Sequence, residues 1–183
     1  MPSCGARGIH FFGASGQNAA LAAVRAPLKT MQSLELKIPP PLVAGILALL
    51  MWGGVRLWLP TDVPPYARLV AANLLVVAGL GFDLAGFISF RRARTTINPF
   101  KPATASALVH SGVYRITRNP MYVGLTLILL GLAVYLWSPW AAPGPLVFAA
   151  YIRRFQIAPE ERALSALFGE QYLVYQRKVR RWL

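Results

Sequence analysis

Long runs of almost uncharged apolar residues divide this sequence into blocks, and few folds can accommodate such blocks. They lie at about residues 42–59, 69–90, 120–137 and 141–157, and the first three hold one charged residue or none. Helices of these lengths, at about 1.5 Å per residue, approach the ~30 Å hydrocarbon core of a bilayer. An open sheet at that depth would leave backbone groups unpaired. The sequence therefore predicts an all-α integral membrane protein with about four transmembrane helices in a lipid bilayer.

The composition and charge of the chain exclude other classes of protein. Apolar residues make up 56% of the 183 residues and charged residues only 14%, whereas soluble domains hold about 25% charged residues. The net charge of +13, from 19 Lys and Arg against 6 Asp and Glu, is typical of nucleic-acid binders. Such proteins do not devote most of their length to uncharged runs, so we expect no nucleic-acid partner. The single cysteine, Cys4, cannot form a disulfide within the chain or assemble a cysteine-ligated metal site, and no other residue points to a metal.

The basic residues predict the orientation of the blocks in the membrane. They cluster before the first block, in the segment 91–119 and at 177–181, whereas the other two connections are nearly bare of charge. Cytoplasmic segments of membrane proteins carry an excess of Lys and Arg. We therefore expect both termini and the segment 91–119 to be cytoplasmic, at the plasma (inner) membrane if the protein is bacterial.

Two segments outside the blocks complete the predicted domain organisation. Residues 1–30 hold four glycines, no acid and no apolar run long enough for a span, so we expect a disordered extension before a single domain at 31–183. Apolar side chains recur every three or four positions over 159–180, and Pro159 suits the first position of a helix. We predict one amphipathic C-terminal helix at about 159–180, lying against the bundle or the lipid headgroups.

Arg118-Asn119-Pro120 stands where the segment 91–119 enters the third block. Asn119 is predicted as the N-cap and Pro120 as the first helical residue. The free N–H groups of a helix start, with the guanidinium of Arg118 beside them, form a candidate site for a carboxylate or a phosphate. The alternative is that Arg118 only reaches the lipid headgroups and that Asn-Pro only begins the helix.

The few acidic residues are the other candidates for chemistry. Glu160 and Glu161 follow the fourth block, on the same predicted side of the membrane as Arg118. If the tail folds back, one of them can contact the cationic group of a ligand whose anionic group lies on Arg118. The alternative is that both only complement the helix dipole. Asp83 lies inside the second block, where an acid is expected to bond a neighbouring helix.

Four short motifs in the second half of the chain carry a resemblance. They are Leu108-Val109-His110-Ser111-Gly112-Val113-Tyr114, Arg118-Asn119-Pro120-Met121-Tyr122-Val123-Gly124, Glu160-Glu161, and Phe168-Gly169-Glu170-Gln171-Tyr172 with Tyr175. From about Asn98 to Trp182 the chain resembles a small, bacterial-type member of the isoprenylcysteine carboxyl methyltransferase and phospholipid methyltransferase family. The resemblance implies an integral membrane methyltransferase that uses S-adenosylmethionine, held near the cytoplasmic face, with an acceptor that enters from the membrane.

The resemblance also implies roles for individual residues. The cofactor-binding residues would be Leu108, Val109, Tyr114, Asn119, Pro120, Met121, Tyr122 and Glu160. Arg118 and Glu161 are the candidate catalytic residues, since Arg118 suits the cofactor carboxylate and Glu161 or His110 could take the proton of an amine acceptor. A Rossmann domain is not expected, because the glycines of the second block have the wrong spacing for its glycine-rich turn and suit helix packing instead.

Two positions depart from the prenylcysteine branch of that family. Asn119 stands where the branch usually has histidine, and Gln156 stands where it has an arginine for the substrate carboxylate. Arg153 and Arg154, at most one turn away, are candidate replacements. Arg153, Arg154 and Gln156 are therefore the candidate substrate-binding residues, and prenylcysteine is disfavoured as the acceptor.

The function predicted from the sequence is S-adenosylmethionine-dependent methyl transfer, in the membrane, to the carboxylate, thiol or amine of a small or lipidic acceptor. A phospholipid (ethanolamine-type) N-methyltransferase is one alternative. The other is a non-catalytic membrane scaffold or small transporter, in which Asp83 and Arg56 would be the working residues.

Overall fold

The computed structural model describes residues 35–58, 65–93 and 107–183. The predicted extension at 1–30 lies outside the described residues, as does part of the segment 91–119. The helices are α1 (Pro40–Trp58), α2 (Tyr66–Arg92), α3 (Pro120–Leu136), α4 (Pro143–Ile152), α5 (Ala158–Phe168) and α6 (Glu170–Lys178). Within those ranges there is no β-strand, so the fold is all-helical and is not a Rossmann fold.

Among the described helices, α2 is long and apolar enough to cross a membrane. It has 27 residues, and large apolar side chains such as Leu74, Val77 and Leu84 are exposed along it, unlike those of a core helix in a soluble protein. The apolar stretches Pro40–Arg56 and Pro120–Leu136 are shorter. Helix length therefore supports one span, and the four predicted spans are not all established.

The helix predicted as the fourth span, at 141–157, is not regular to its end. α4 covers Pro143–Ile152, and a π-helical turn at Arg153–Ile157 leads directly into α5. A π turn holds more residues than an α turn and therefore changes the direction in which later side chains point. The side chains of α5 accordingly do not continue the faces of α4.

The C-terminal region differs from the prediction of one helix at 159–180. It consists of two helices, α5 and α6, which meet at Gly169. Gly169 has φ +53° and ψ −127°, a backbone conformation that glycine adopts far more readily than other residues. Apolar side chains keep their helical spacing on both sides of Gly169, and for this reason the periodicity alone predicts a continuous helix.

α2 and α3 pack closely because glycines face each other across the contact. A Cβ atom added to Gly79 would lie 2.6 Å from the carbonyl oxygen of Gly124, and one added to Gly131 would lie 2.9 Å from the carbonyl oxygen of Ala72. Small residues allow helix backbones to approach this closely. The same contact brings the carboxylate of Asp83, on α2, against Gly124, where no side chain could be accommodated.

The buried apolar core lies where α1, α3 and α4 meet. Val55, Leu129 and Phe148 come from these three helices and are almost completely buried. Ile152 and Ile157 extend the core through the π-helical turn toward α5. The start of α5 is therefore anchored by buried residues on its N-terminal side.

The chain after α6 folds back onto the segment that precedes α3. The backbone N–H of Arg118 donates to the carbonyl of Arg180 at 2.9 Å, and the hydroxyl of Thr117 donates to the carbonyl of Arg181 at 3.1 Å. Thr117 and Arg180 also form an isolated parallel bridge. We call residues 179–183 the C-terminal tail. The tail joins the start of α3 to the end of α6.

Candidate functional site

A cavity of about 540 Å³ lies at the end of the molecule where α3 begins, between α2, α3, α5 and α6. Its volume is within the range of small-ligand sites, roughly 300–1,000 Å³. Most of the residues predicted for the site line it: Leu108, Val109, Tyr114, Arg118, Asn119, Met121, Tyr122, Glu160 and Glu161. The structure therefore brings two segments that are far apart in the sequence, 108–122 and 160–161, to one cavity.

Arg118 and Glu161 form an ion pair at the wall of this cavity. The Arg118 Nη2 atom lies 3.1 Å from Glu161 Oε1, and the two side chains are only 11% and 13% exposed. Arg181, from the C-terminal tail, donates from Nε to the same oxygen at 3.0 Å and from Nη2 to Glu161 Oε2 at 2.5 Å. The hydrogen bond to Glu161 raises the pKa of Arg181. Both oxygens of Glu161 are thus held by guanidinium groups.

Glu160 has a different environment, although it is the next residue along the chain. Its Oε1 atom accepts a hydrogen bond of 2.6 Å from the hydroxyl of Tyr122. Burial raises the pKa of Glu160 from 4.5 to about 7; the bond from Tyr122 lowers it, and the negative charge of Glu161 raises it further. None of the described cations pairs with Glu160, so a positively charged ligand would meet its carboxylate directly.

Aromatic side chains form other parts of the cavity wall. The ring of Tyr114 packs edge-to-face on Phe90, with the ring centroids 5.5 Å apart. The backbone carbonyl of Tyr114 accepts a hydrogen bond of 2.7 Å from the hydroxyl of Tyr175. Burial is the largest cause that raises the pKa of Tyr172 to about 12, so this residue remains a neutral phenol near pH 7. These rings suit the flat face of a heterocycle or a cation.

Asn119 and Pro120 occupy the predicted positions at the start of α3, but the side chain of Asn119 does not cap the helix. Its Nδ2 atom donates instead to the carbonyl of Arg181 at 2.9 Å. The Asn119 side chain bonds the tail and not the helix start, because the tail brings a carbonyl within hydrogen-bonding distance. Pro120 is buried and is not among the residues that line the cavity.

The three candidate substrate-binding residues do not line the cavity. Gln156 is buried, and its Nε2 atom donates to the carbonyl of Ile38 at 2.8 Å. Arg154 forms an ion pair of 2.9 Å with Glu35, and Arg153 is exposed. Their positions give no support to a role in holding the acceptor.

Several lining residues were not among the predicted site residues, and one of them, Asp83, is charged. Phe90, Leu125, Leu164, Tyr172 and Tyr175 also line the cavity. Asp83 was expected to bond a neighbouring helix, but its buried Oδ1 atom has no hydrogen-bond partner in the described part of the chain. The signal in the sequence was its position as the single charged residue in the second apolar block.

The described part of the chain is all-helical and holds a cavity of small-ligand size, and comparison with known proteins identifies its family. The model of the phospholipid methyltransferase family matches residues 67–171, more than half of the chain, and the chain belongs to this family. The family is membrane-associated, which agrees with the exposed apolar surface of α2.

Curated relatives include enzymes with different acceptors. The chain is 32% identical over 109 residues to protein-S-isoprenylcysteine O-methyltransferase A of Arabidopsis thaliana, covering 58% of this chain and 54% of that protein. It is 29% identical over 154 residues to methanethiol S-methyltransferase of Pseudomonas deceptionensis, covering 73% and 53%. It is also 46% identical over 63 residues to an uncharacterized protein of Haemophilus influenzae, covering 34% and 100%.

The chain spans about half the length of the two methyltransferases that it matches. No solved structure matches the chain. The similarity therefore identifies the family, and the acceptor has to be argued from the cavity itself.

Proposed function

We propose that this protein is an S-adenosylmethionine-dependent methyltransferase that acts in the membrane, at the cytoplasmic face, on a small or lipidic acceptor. Membership of the phospholipid methyltransferase family and similarity to two named methyltransferases support this proposal. The observation that carries it is the meeting of Arg118, Glu160 and Glu161 at one largely apolar cavity.

The residues of the cavity fit the chemical groups of S-adenosylmethionine. The buried Nε atom of Arg118 has no hydrogen-bond partner among the described residues, so the carboxylate of a ligand would supply the missing acceptor. Glu160, which has no cation partner there, suits the ammonium group. The aromatic rings of Tyr114 and Tyr172 suit the adenine. When bound, the cofactor supplies a methyl group activated by a positively charged sulfur.

The protein contributes mainly by orienting the reactants and excluding water, which are the chief requirements of an in-line displacement. Glu161 was predicted as a catalytic residue, but guanidinium groups occupy both of its oxygens. We infer that Glu161 positions Arg118 and does not remove a proton. The C-terminal tail takes part through Arg181, which donates to both oxygens of Glu161.

A phospholipid N-methyltransferase is the second candidate, because the family model that matches the chain describes phospholipid methyltransferases. A lipid acceptor also suits a cavity whose walls are mainly apolar and to which α2, a helix with exposed apolar side chains, contributes Asp83 and Phe90. Labelled S-adenosylmethionine added to membranes would distinguish the two, since the label enters either the lipid fraction or a small molecule.

Binding of S-adenosylmethionine to the detergent-purified protein tests the proposal. We expect Arg118→Ala or Glu160→Gln to weaken binding by about 10- to 100-fold, because each removes a charged hydrogen bond to the ligand. Arg177 and Glu170 form an ion pair of 2.6 Å on the surface, with side chains 68% and 72% exposed. Arg177→Ala and Glu170→Gln are therefore matched controls and should leave binding unchanged. Folded wild-type protein that does not bind the cofactor would refute the proposal.

A further inference from the structure

Asp83 is a charged group that the proposed cofactor contacts leave unused. It lies within α2, and it lines the cavity that also contains Arg118 and Glu160. Its Oδ1 atom is buried and has no hydrogen-bond partner in the ranges that the structure describes. A carboxylate with an unpaired buried oxygen is unfavourable in an apolar block, and a donor group on a ligand in the cavity would stabilise it.

Helix packing does not account for Asp83. An acid that only joined two helices would face a donor on its neighbour. The group opposite Asp83 is Gly124, which has no side chain, and the backbone atom nearest to a Cβ added at Gly124 is the carbonyl oxygen of Gly79, another acceptor. Gly124 leaves room for the carboxylate without satisfying it.

Asp83 also lies apart from the polar end of the cavity. Gly124 follows Asn119 by five residues, which corresponds to roughly 7 Å along the axis of α3. Arg118, Glu160 and Glu161 gather around the start of that helix, where the tail also contacts it. A cofactor that occupies the polar end therefore leaves Asp83 as the charged group farther along α3, where α2 and α3 are in contact.

We propose that Asp83 recognises the methyl acceptor, and that the acceptor presents an N–H or S–H group to it, which makes it an amine or a thiol and not a carboxylate. This inference rests on the proposed function. A carboxylate accepts hydrogen bonds and attracts cations, whereas a second carboxylate at the same place would be repelled, strongly so where the surroundings are apolar.

Short acceptor probes of equal length test this inference without measuring methyl transfer. The purified protein, saturated with unreactive S-adenosylhomocysteine, is titrated with hexylamine, hexanethiol and hexanoate by calorimetry. We expect the amine or the thiol to bind about tenfold more tightly than hexanoate. In Asp83→Asn this preference should disappear while the affinity for S-adenosylhomocysteine stays within about twofold. Glu170→Gln removes an exposed acid and should preserve the preference.

Two kinds of failure can be distinguished. Equal or tighter binding of hexanoate by the wild type, or a preference that survives in Asp83→Asn, overturns the inference alone. Loss of S-adenosylhomocysteine affinity in Asp83→Asn would assign the carboxylate to the cofactor and would also overturn it. Folded wild-type protein that fails to bind S-adenosylhomocysteine overturns the proposed function, and the inference falls with it. Asp83→Asn is nearly isosteric, and thermal unfolding of the variant verifies that it is folded.

Discussion

Glu160 and Glu161 are neighbours in the sequence, but their carboxylates have different partners in the fold. Successive residues of a helix point about 100° apart, so Glu161 faces Arg118 and Arg181 while Glu160 faces Tyr122. Glu161 is compensated by two cations, and its charge is used within the protein. Glu160 has a neutral partner only, so its charge is available to a ligand.

This difference predicts a pH dependence of cofactor binding. Burial raises the pKa of Glu160 from 4.5 to about 7, and only the ionised carboxylate attracts a cation. Below pH 7 we therefore expect the affinity for S-adenosylmethionine to fall by up to about tenfold per pH unit, and above pH 8 to be constant. Because the raised pKa favours the protonated form in the fold, the ligand-free protein should lose stability as the pH rises from 4.5 through 7. Dissociation constants of S-adenosylmethionine measured between pH 5.5 and 8.5 test the predicted change in affinity. In Glu160→Gln the affinity should depend much less on pH.

At this scale the sequence identified Arg118, Glu160 and Glu161 as one group, and the structure places all three at the same cavity. The sequence did not identify Arg181 as the second partner of Glu161. A basic residue near the end of the chain carries no pattern that distinguishes it from its neighbours Arg177, Lys178 and Arg180. Its partner depends on the turn at Gly169 and on the path of the tail, both of which are properties of the folded chain.

Individual elements were predicted best where apolar residues are continuous. The blocks at 42–59, 69–90 and 120–137 correspond to α1, α2 and α3 within a few residues at each end. The irregular turn before α5 and the break at Gly169 were not predicted, because apolar spacing continues across both. The hydrophobic pattern indicates which residues are shielded from water, but it does not predict small changes in backbone geometry.

The contact between α2 and α3 offers a sharp test at the scale of elements. In Gly79→Ala the added methyl group would lie 2.6 Å from the carbonyl oxygen of Gly124 and 2.8 Å from Ile128 Cγ1, so the helices must separate. We expect a loss of roughly 1–3 kcal/mol in the free energy of unfolding. Gly81→Ala, on the same helix, meets nothing within 4 Å and should be neutral or stabilising by up to about 1 kcal/mol. Equal stability of the two variants, by thermal unfolding in detergent, would argue against the close packing.

For the whole molecule, the prediction is that the cavity end faces the cytoplasm. In a Cys4→Ser background, single cysteines can replace Ser111 and Lys178 at the cavity end and Ala142 before α4, all of which are exposed. An impermeant maleimide should label Ala142→Cys in intact bacterial cells, and Ser111→Cys and Lys178→Cys only in inside-out vesicles. The basic residues at the cavity end are the reason for this expectation. Labelling of Lys178→Cys from outside would reverse the topology.

The hydrogen bonds between the segment before α3 and the tail join residues more than sixty positions apart. A ribosome therefore delivers Thr117 and Asn119 long before it delivers the carbonyl of Arg181, which both side chains require. The proposed cofactor is therefore not expected to act as a template for membrane insertion of the described helices, because the contacts at its proposed site form only after the tail has been synthesised. A nascent chain arrested between α6 and the tail would carry all of the described helices and still lack these contacts.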